Sequence, residues 1–204
     1  MRILNIIFDL GGVIIDLDVE RTYNTFKNYI SDRYLELEYG YIKHPVFRQY
    51  ETGAISDDEF IEALVSLAGN EITAQQAVDA WNAMLVQIPD ERIRLLESLK
   101  SDYRLFVLSN TNEIHTQKFE SMANGYNKLS DLFESAWYSH IIGSRKPERQ
   151  AFQTLIDGCN ILPEETLFVD DLENNINTAR DMGFQTLHVT RGLNIVEWFK
   201  DNPL

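Results

Sequence analysis

Cysteine is almost absent. Among 204 residues only Cys159 occurs, so no intrachain disulfide can form, and a reducing compartment, the cytoplasm, is the natural expectation. Its setting, Ile156-Asp157-Gly158-Cys159-Asn160-Ile161, reads as a helix end running into a turn, which suits a small, partly buried side chain better than a nucleophile. Positive charge is also scarce: Lys plus Arg number 18 against 32 Asp plus Glu, a formal charge of −14. That balance repels nucleic acid and anionic membranes. An anionic ligand would need local neutralisation, most simply by a bound metal cation. Long apolar runs are missing too, since nothing approaches the roughly twenty residues of a membrane span. The apolar start, Met1-Arg2-Ile3-Leu4-Asn5-Ile6-Ile7-Phe8, is broken by Asn5 and reaches Asp9 too early for a signal peptide. No internal repeat, low-complexity tract or Pro-rich linker interrupts the chain.

What is present is enough apolar material for a core, 44% of residues. Ile3 to Phe8 is short and Ile-rich and stops at Asp9-Leu10-Gly11-Gly12, as a buried parallel strand feeding a tight turn does. Three later runs behave alike: Arg104 to Leu108 stops at Ser109-Asn110-Thr111-Asn112, Glu165 to Val169 at Asp170-Asp171, and Phe184 to Val189 at Thr190-Arg191-Gly192. Helical patterns lie between them, over Ile114 to Ala123, Arg149 to Asp157, and Asn174 to Met182 with Gly183 as C-cap. The alternation predicts an α/β fold with a Rossmann-like parallel sheet, whose ligands gather at the carboxyl ends of the strands, where the polar clusters fall.

From about Val19 to Asn82 the alternation stops. Tyr23, Phe26, Tyr29 and Ile30, then Phe60, Ile61, Leu64 and Leu67, recur at helical spacing, and Ser56-Asp57-Asp58-Glu59 has the form of a capping box. A helical cap over 17–87, inserted after the first strand into an α/β core of 1–16 and 88–204, is the expected organisation.

If Asp9, Asp170 and Asp171 meet at neighbouring strand ends, their like charges need a cation between them. Mg²⁺ suits such a site, because it takes a few carboxylates together with water and a substrate phosphate. Lys146, in Arg145-Lys146-Pro147, is a further positive group, and Ser109 with the amides after it is a candidate donor to phosphoryl oxygens.

Four segments in order are similar to the motifs of the haloacid-dehalogenase superfamily and span nearly the whole chain: Phe8-Asp9-Leu10-Gly11-Gly12-Val13, Leu108-Ser109-Asn110-Thr111, Arg145-Lys146-Pro147, and Phe168-Val169-Asp170-Asp171 with Asn175 beyond. The resemblance extends to sugar-phosphate phosphatases and the N-terminal phosphatase domain of soluble epoxide hydrolases. It implies a nucleophile, Asp9, that becomes an aspartyl phosphate, with Ser109, Asn110 and Lys146 holding the phosphoryl group. It also implies Mg²⁺ held by Asp9, the Gly11 carbonyl and Asp171, with Asp170 either a ligand or, like Asn175, an orienting group. The substrate expected is a small phosphorylated metabolite, and the protein a monomer or weak homodimer.

One position departs from that pattern. Most phosphatases it resembles carry an Asp two residues after the nucleophile as general acid and base, and here that residue is Gly11. Such help is typically worth about 10²–10⁴ in rate. Asp16 and Asp18 read as surface or hinge residues rather than replacements. A haloacid dehalogenase and a non-catalytic phosphate-binding protein are the competing readings; the Asp170-Asp171 pair opposes the first, and Gly11 favours the second. His44, His115, His140 and His188 lack metal-ligand spacing, and Trp81, Trp137 and Trp198 read as packing residues. Tyr39-Gly40-Tyr41, Tyr50 and the Gly53-Ala54-Ile55-Ser56 loop are the cap segments expected nearest a substrate.

Overall fold

The computed structural model describes residues 2–30 and 44–204, so Tyr39-Gly40-Tyr41 lies outside the described residues. Its chief feature is a five-stranded, all-parallel sheet in the order β5-β4-β1-β6-β7, formed by β1 (Asn5–Phe8), β4 (Arg104–Ser109), β5 (Ser135–Tyr138), β6 (Thr166–Asp170) and β7 (Gln185–His188). The central strands are apolar on both faces because both faces are covered. Ile6 and Phe8, Leu105 and Val107, and Leu167 and Val169 point to one layer, with α5 (Asp90–Leu99) and α10 (Ile195–Asp201). Their neighbours Ile7, Phe106, Leu108 and Phe168 point to the other, with α8 (Arg149–Cys159) and α9 (Glu173–Asp181). This is the period of two expected of a strand with two buried sides.

The edge strand β5 is absent from the sequence reading. Ser135-Ala136-Trp137-Tyr138 has neither an apolar run nor a clean alternation, and three of its four side chains are only partly buried. Trp137 instead packs its ring against α8, in the space a side chain at Gly158 would fill.

A separate apolar cluster joins α1 (Val19–Tyr29), α2 (Pro45–Glu51), α3 (Asp57–Leu67) and α4 (Ala74–Asn82), centred on Phe26, Phe47, Phe60, Leu64 and Trp81. The box at Ser56 forms as expected: Ser56 Oγ accepts from the Glu59 amide at 3.3 Å while the Ser56 amide donates to Glu59 at 2.8 Å. Thr73 and Gln76 repeat it at the start of α4. Where the chain leaves and re-enters the core, β2 (Asp16–Leu17) pairs antiparallel with β3 (Leu85–Gln87), a ribbon too short to show a period in the sequence. The helical group meets the core through α6 (Glu113–Phe119), whose Ile114 joins its apolar cluster. No helix among the described residues is long and apolar enough to cross a membrane.

Candidate active site

Asp9 directly follows β1, and its amide donates to the Val169 carbonyl at 2.9 Å, so its carboxylate emerges beside the end of β6. Ligand oxygens of Asp9, Asp170 and Asp171 lie within 4.8 Å of one another. Lys146, only 1% exposed, answers this charge with Nζ at 2.9 Å from Asp9 Oδ1 and 2.6 Å from Asp170 Oδ2. The contact with Asp170 is a hydrogen bond; Asp9 Oδ1 is paired by charge but has no aligned donor. Burial raises the Asp9 carboxyl to about 6, against the pull of Lys146 and with help from Asp170 and Asp171. Burial and Asp170 likewise raise Asp171. Three carboxylates thus face one ammonium, a balance that a divalent cation between Asp9 and Asp171 would correct.

The oxygens of Asp170 are already engaged. Oδ1 accepts from the Leu172 amide at 2.8 Å and from Asn175 at 2.9 Å, and Oδ2 from Lys146 and again from Asn175 at 3.1 Å. Asp171 is partly open, and Gly12 makes room for it: at φ +72° a Cβ on Gly12 would stand 2.6 Å from Asp171 Oδ2. His188 donates from Nε2 to the Asp171 carbonyl at 3.0 Å, fixing the backbone of that residue.

Lys146 reaches the site from a loop clamped by Asn110. The Asn110 amide donates to the Lys146 carbonyl and its Oδ1 accepts from the Lys146 amide, both at 2.8 Å. The side chain of Asn110 therefore serves the lysine loop. Beyond it, the Thr111 amide donates to Ser139 Oγ at 2.9 Å, which holds the loop after β4 against α7 (Ser139–Ile142).

Gly11, Ser109 and Asn110 line a cavity of about 120 Å³ whose other walls include Leu17, Glu51, Trp81, Met84 and His115. Sequence reasoning located the core side of this cavity and missed Glu51, Trp81 and His115. The nearest signal was the Gly53 loop, two residues past Glu51. Gly53, at φ +67°, presses on the His140 carbonyl where any Cβ would collide. His115 is an internal structural group: it stacks on Trp81 at 4.9 Å between ring centroids, with Nε2 at 3.0 Å from the Trp81 carbonyl and Nδ1 at 3.2 Å from the Asn112 amide. Tyr50 is buried in the helical group, its hydroxyl bonded to Asp57 and to the Ile114 amide. Asp16 and Asp18 stand apart in ion pairs with Arg92 at 2.8 Å and Arg21 at 3.2 Å.

Known proteins resemble this chain over nearly its whole length. A D-ribitol-5-phosphate phosphatase of Bacteroides thetaiotaomicron is 31% identical over 93% of this chain and 93% of its own length. A HAD-family enzyme from the same organism superposes with a TM-score of 0.91 at 33% identity, covering 98% of this chain and 99% of that one. A further structure of that enzyme, in complex with magnesium and inorganic phosphate, gives 0.89 at 34% identity over 97% and 99%. The family model for haloacid dehalogenase-like hydrolases matches residues 3–183, and the chain belongs to that family of enzymes.

Proposed function

We propose that this hydrolase is a Mg²⁺-dependent phosphatase acting on a small phosphorylated metabolite, a sugar or polyol phosphate, through an aspartyl phosphate on Asp9. The observation that carries the reading is the convergence of three carboxylates within 4.8 Å of one another, two of them paired with a buried lysine. A carbon–halogen displacement has no use for so much negative charge, whereas a phosphoryl group bound with its metal does. The 31% identical relative that acts on a polyol phosphate, and the magnesium and phosphate in a similar structure, support the substrate class and the ion.

In this reading Asp9, Asp171 and the Gly11 carbonyl would hold Mg²⁺, which would supply positive charge for the phosphoryl oxygens. Asp170, its oxygens engaged by Lys146, Asn175 and the Leu172 amide, orients Lys146 and keeps its ammonium over Asp9. Lys146 and Ser109 hold the transferring group, with Asn110 contributing through its backbone. Asp9 attacks phosphorus, the alcohol leaves, and water then releases phosphate from Asp9. Residues 17–87 act as a cap over 1–16 and 88–204, closing a cavity sized for a compact leaving group.

The test is release of phosphate from a panel of sugar and polyol phosphates and p-nitrophenyl phosphate, with and without Mg²⁺, for wild type and Asp9→Asn. Metal-dependent release abolished in the variant supports the reading. Halide release from 2-haloacids without metal, or phosphate binding with no turnover of any ester, would reject it.

A further inference from the structure

Gly11 leaves the phosphatase reading without a proton carrier for the leaving alcohol and the incoming water. Its backbone is not strained, and the space a Cβ would take is filled by Leu17, whose δ-carbon would lie 2.6 Å away. The missing carboxylate is thus replaced in space by an apolar side chain from the hinge ribbon. The cavity that Gly11 and Ser109 line is the nearest source of a substitute.

Among the described residues lining that cavity, two side chains titrate as acids or bases in water, Glu51 and His115. His115 is not available. Both ring nitrogens are engaged, its ring is stacked on Trp81, and burial holds it neutral with a pKa lowered to about 4. That leaves Glu51.

Glu51 closes α2, and its position over the site is fixed from several directions. Arg48, one turn earlier, pairs with Glu148 at 2.8 Å. Tyr50 accepts from the Ile114 amide at 3.1 Å. Gly53 abuts the His140 carbonyl. Glu51 itself uses one oxygen, Oε2, in an ion pair at 3.1 Å with Arg145 Nη1, and Arg145 precedes Lys146 in the chain. The carboxyl is therefore bound to the loop that carries the catalytic lysine while facing the cavity shared with Gly11 and Ser109. Burial pushes the Glu51 carboxyl up, against the pull of Arg145, in the direction that favours proton exchange nearer neutrality.

We propose that Glu51, reaching across from the helical insertion, is the general acid and base of this enzyme in place of a carboxylate at position 11. This deepens the phosphatase reading and rests on it. As an Asp9 oxygen bonds to phosphorus and the bond from phosphorus to the alcohol oxygen breaks, the Glu51 carboxyl gives its proton to that oxygen. As water bonds to phosphorus and the Asp9–phosphorus bond breaks, the Glu51 carboxylate takes a proton from the water, which restores both groups.

Glu51→Gln separates the two half-reactions, because p-nitrophenolate departs without a proton and an aliphatic alcohol does not. In the variant, p-nitrophenyl phosphate should give a first-turnover burst within about threefold of the wild-type rate and then a slow phase, while turnover of an aliphatic sugar phosphate falls about 10²-fold or more without a burst. Arg145→Met breaks the same ion pair but keeps the carboxyl, and should retain aliphatic ester turnover within about tenfold. The proposal is overturned if Glu51→Gln leaves aliphatic turnover near wild type, if both esters lose first-turnover and steady-state rates equally, or if Arg145→Met reproduces the Glu51→Gln loss. If wild-type protein releases phosphate from neither ester, the phosphatase reading itself has failed, a different result from any of these.

Discussion

The ammonium of Lys146 and the carboxylate of Asp170 meet at 2.6 Å, with side chains 1% and 0% exposed. Burial alone would pull the lysine pKa down, yet Asp9 and Asp170 outweigh it and hold the ammonium above its ordinary value. The lysine is thus a fixed positive charge. Lys146→Met leaves buried carboxylates without their cation, which typically destabilises by about 3–5 kcal/mol. Denaturant unfolding of wild type and variant measures this, and an unchanged midpoint would show that the pair carries no such stake.

Gly11→Asp should be accommodated at small cost, because Leu17 is 42% exposed and its δ-carbons can swing toward solvent. Against a Glu51→Gln background, the new carboxyl should restore about tenfold or more of aliphatic ester turnover, since general acid–base help is worth about 10²–10⁴. Rates no better than those of the single variant would mean that position 11 is wrongly placed to carry a proton here.

Asp171 is the partly open member of the carboxylate trio. If it holds Mg²⁺ with Asp9, the ion stabilises the folded chain by about 2.7 kcal/mol at one hundred times its dissociation constant. Thermal unfolding should rise with Mg²⁺ in wild type and hardly move in Asp171→Asn. Equal responses would place the ion elsewhere.

Burial lowers His115 from 6.5 to about 4, the Trp81 carbonyl opposing only in part. The unfolded chain therefore binds the proton first as pH falls. The stability this neutral ring contributes is complete above about pH 6.5 and is lost as pH drops through 4, a change of roughly 3 kcal/mol. Protonation would also set an Nδ1–H against the Asn112 amide, whose Oδ1 is already occupied by the His115 amide at 3.0 Å and the Trp81 indole at 3.3 Å. Urea midpoints at pH 7.5 and pH 4 for wild type and His115→Gln should differ by that amount in their acid loss; parallel curves would contradict it.

Much of this molecule could be read from residue order. β1, β4 and β6 announce themselves because both faces of these inner strands are covered, so apolar runs end abruptly where the chain turns polar; β7, at an edge, shows instead through its run from Phe184 to Val189. Asp9, Lys146, Asp170 and Asn175 are brought together because each sits at or just past such an end, or on the loop clamped by Asn110. What escaped notice depends on distant partners. β5 is an edge strand without a pattern, and β2 and β3 become a ribbon only by pairing across some seventy residues. Glu51 is one acidic residue among 32 until α2 docks and Arg145 meets it. The double use of the Asn110 side chain was equally invisible, since it depends on where the Lys146 backbone lies.

In the proposed mechanism Asp9 carries the phosphoryl group between the two half-reactions. Acid quenching of a single turnover with p-nitrophenyl phosphate and Mg²⁺, followed by peptide mapping, tests it most directly. One phosphoryl group is expected on the peptide containing Asp9, enriched in Glu51→Gln and absent from Asp9→Asn. Phosphate release at full rate with no phosphopeptide at any quench time, or a phosphopeptide that persists in Asp9→Asn, would contradict it.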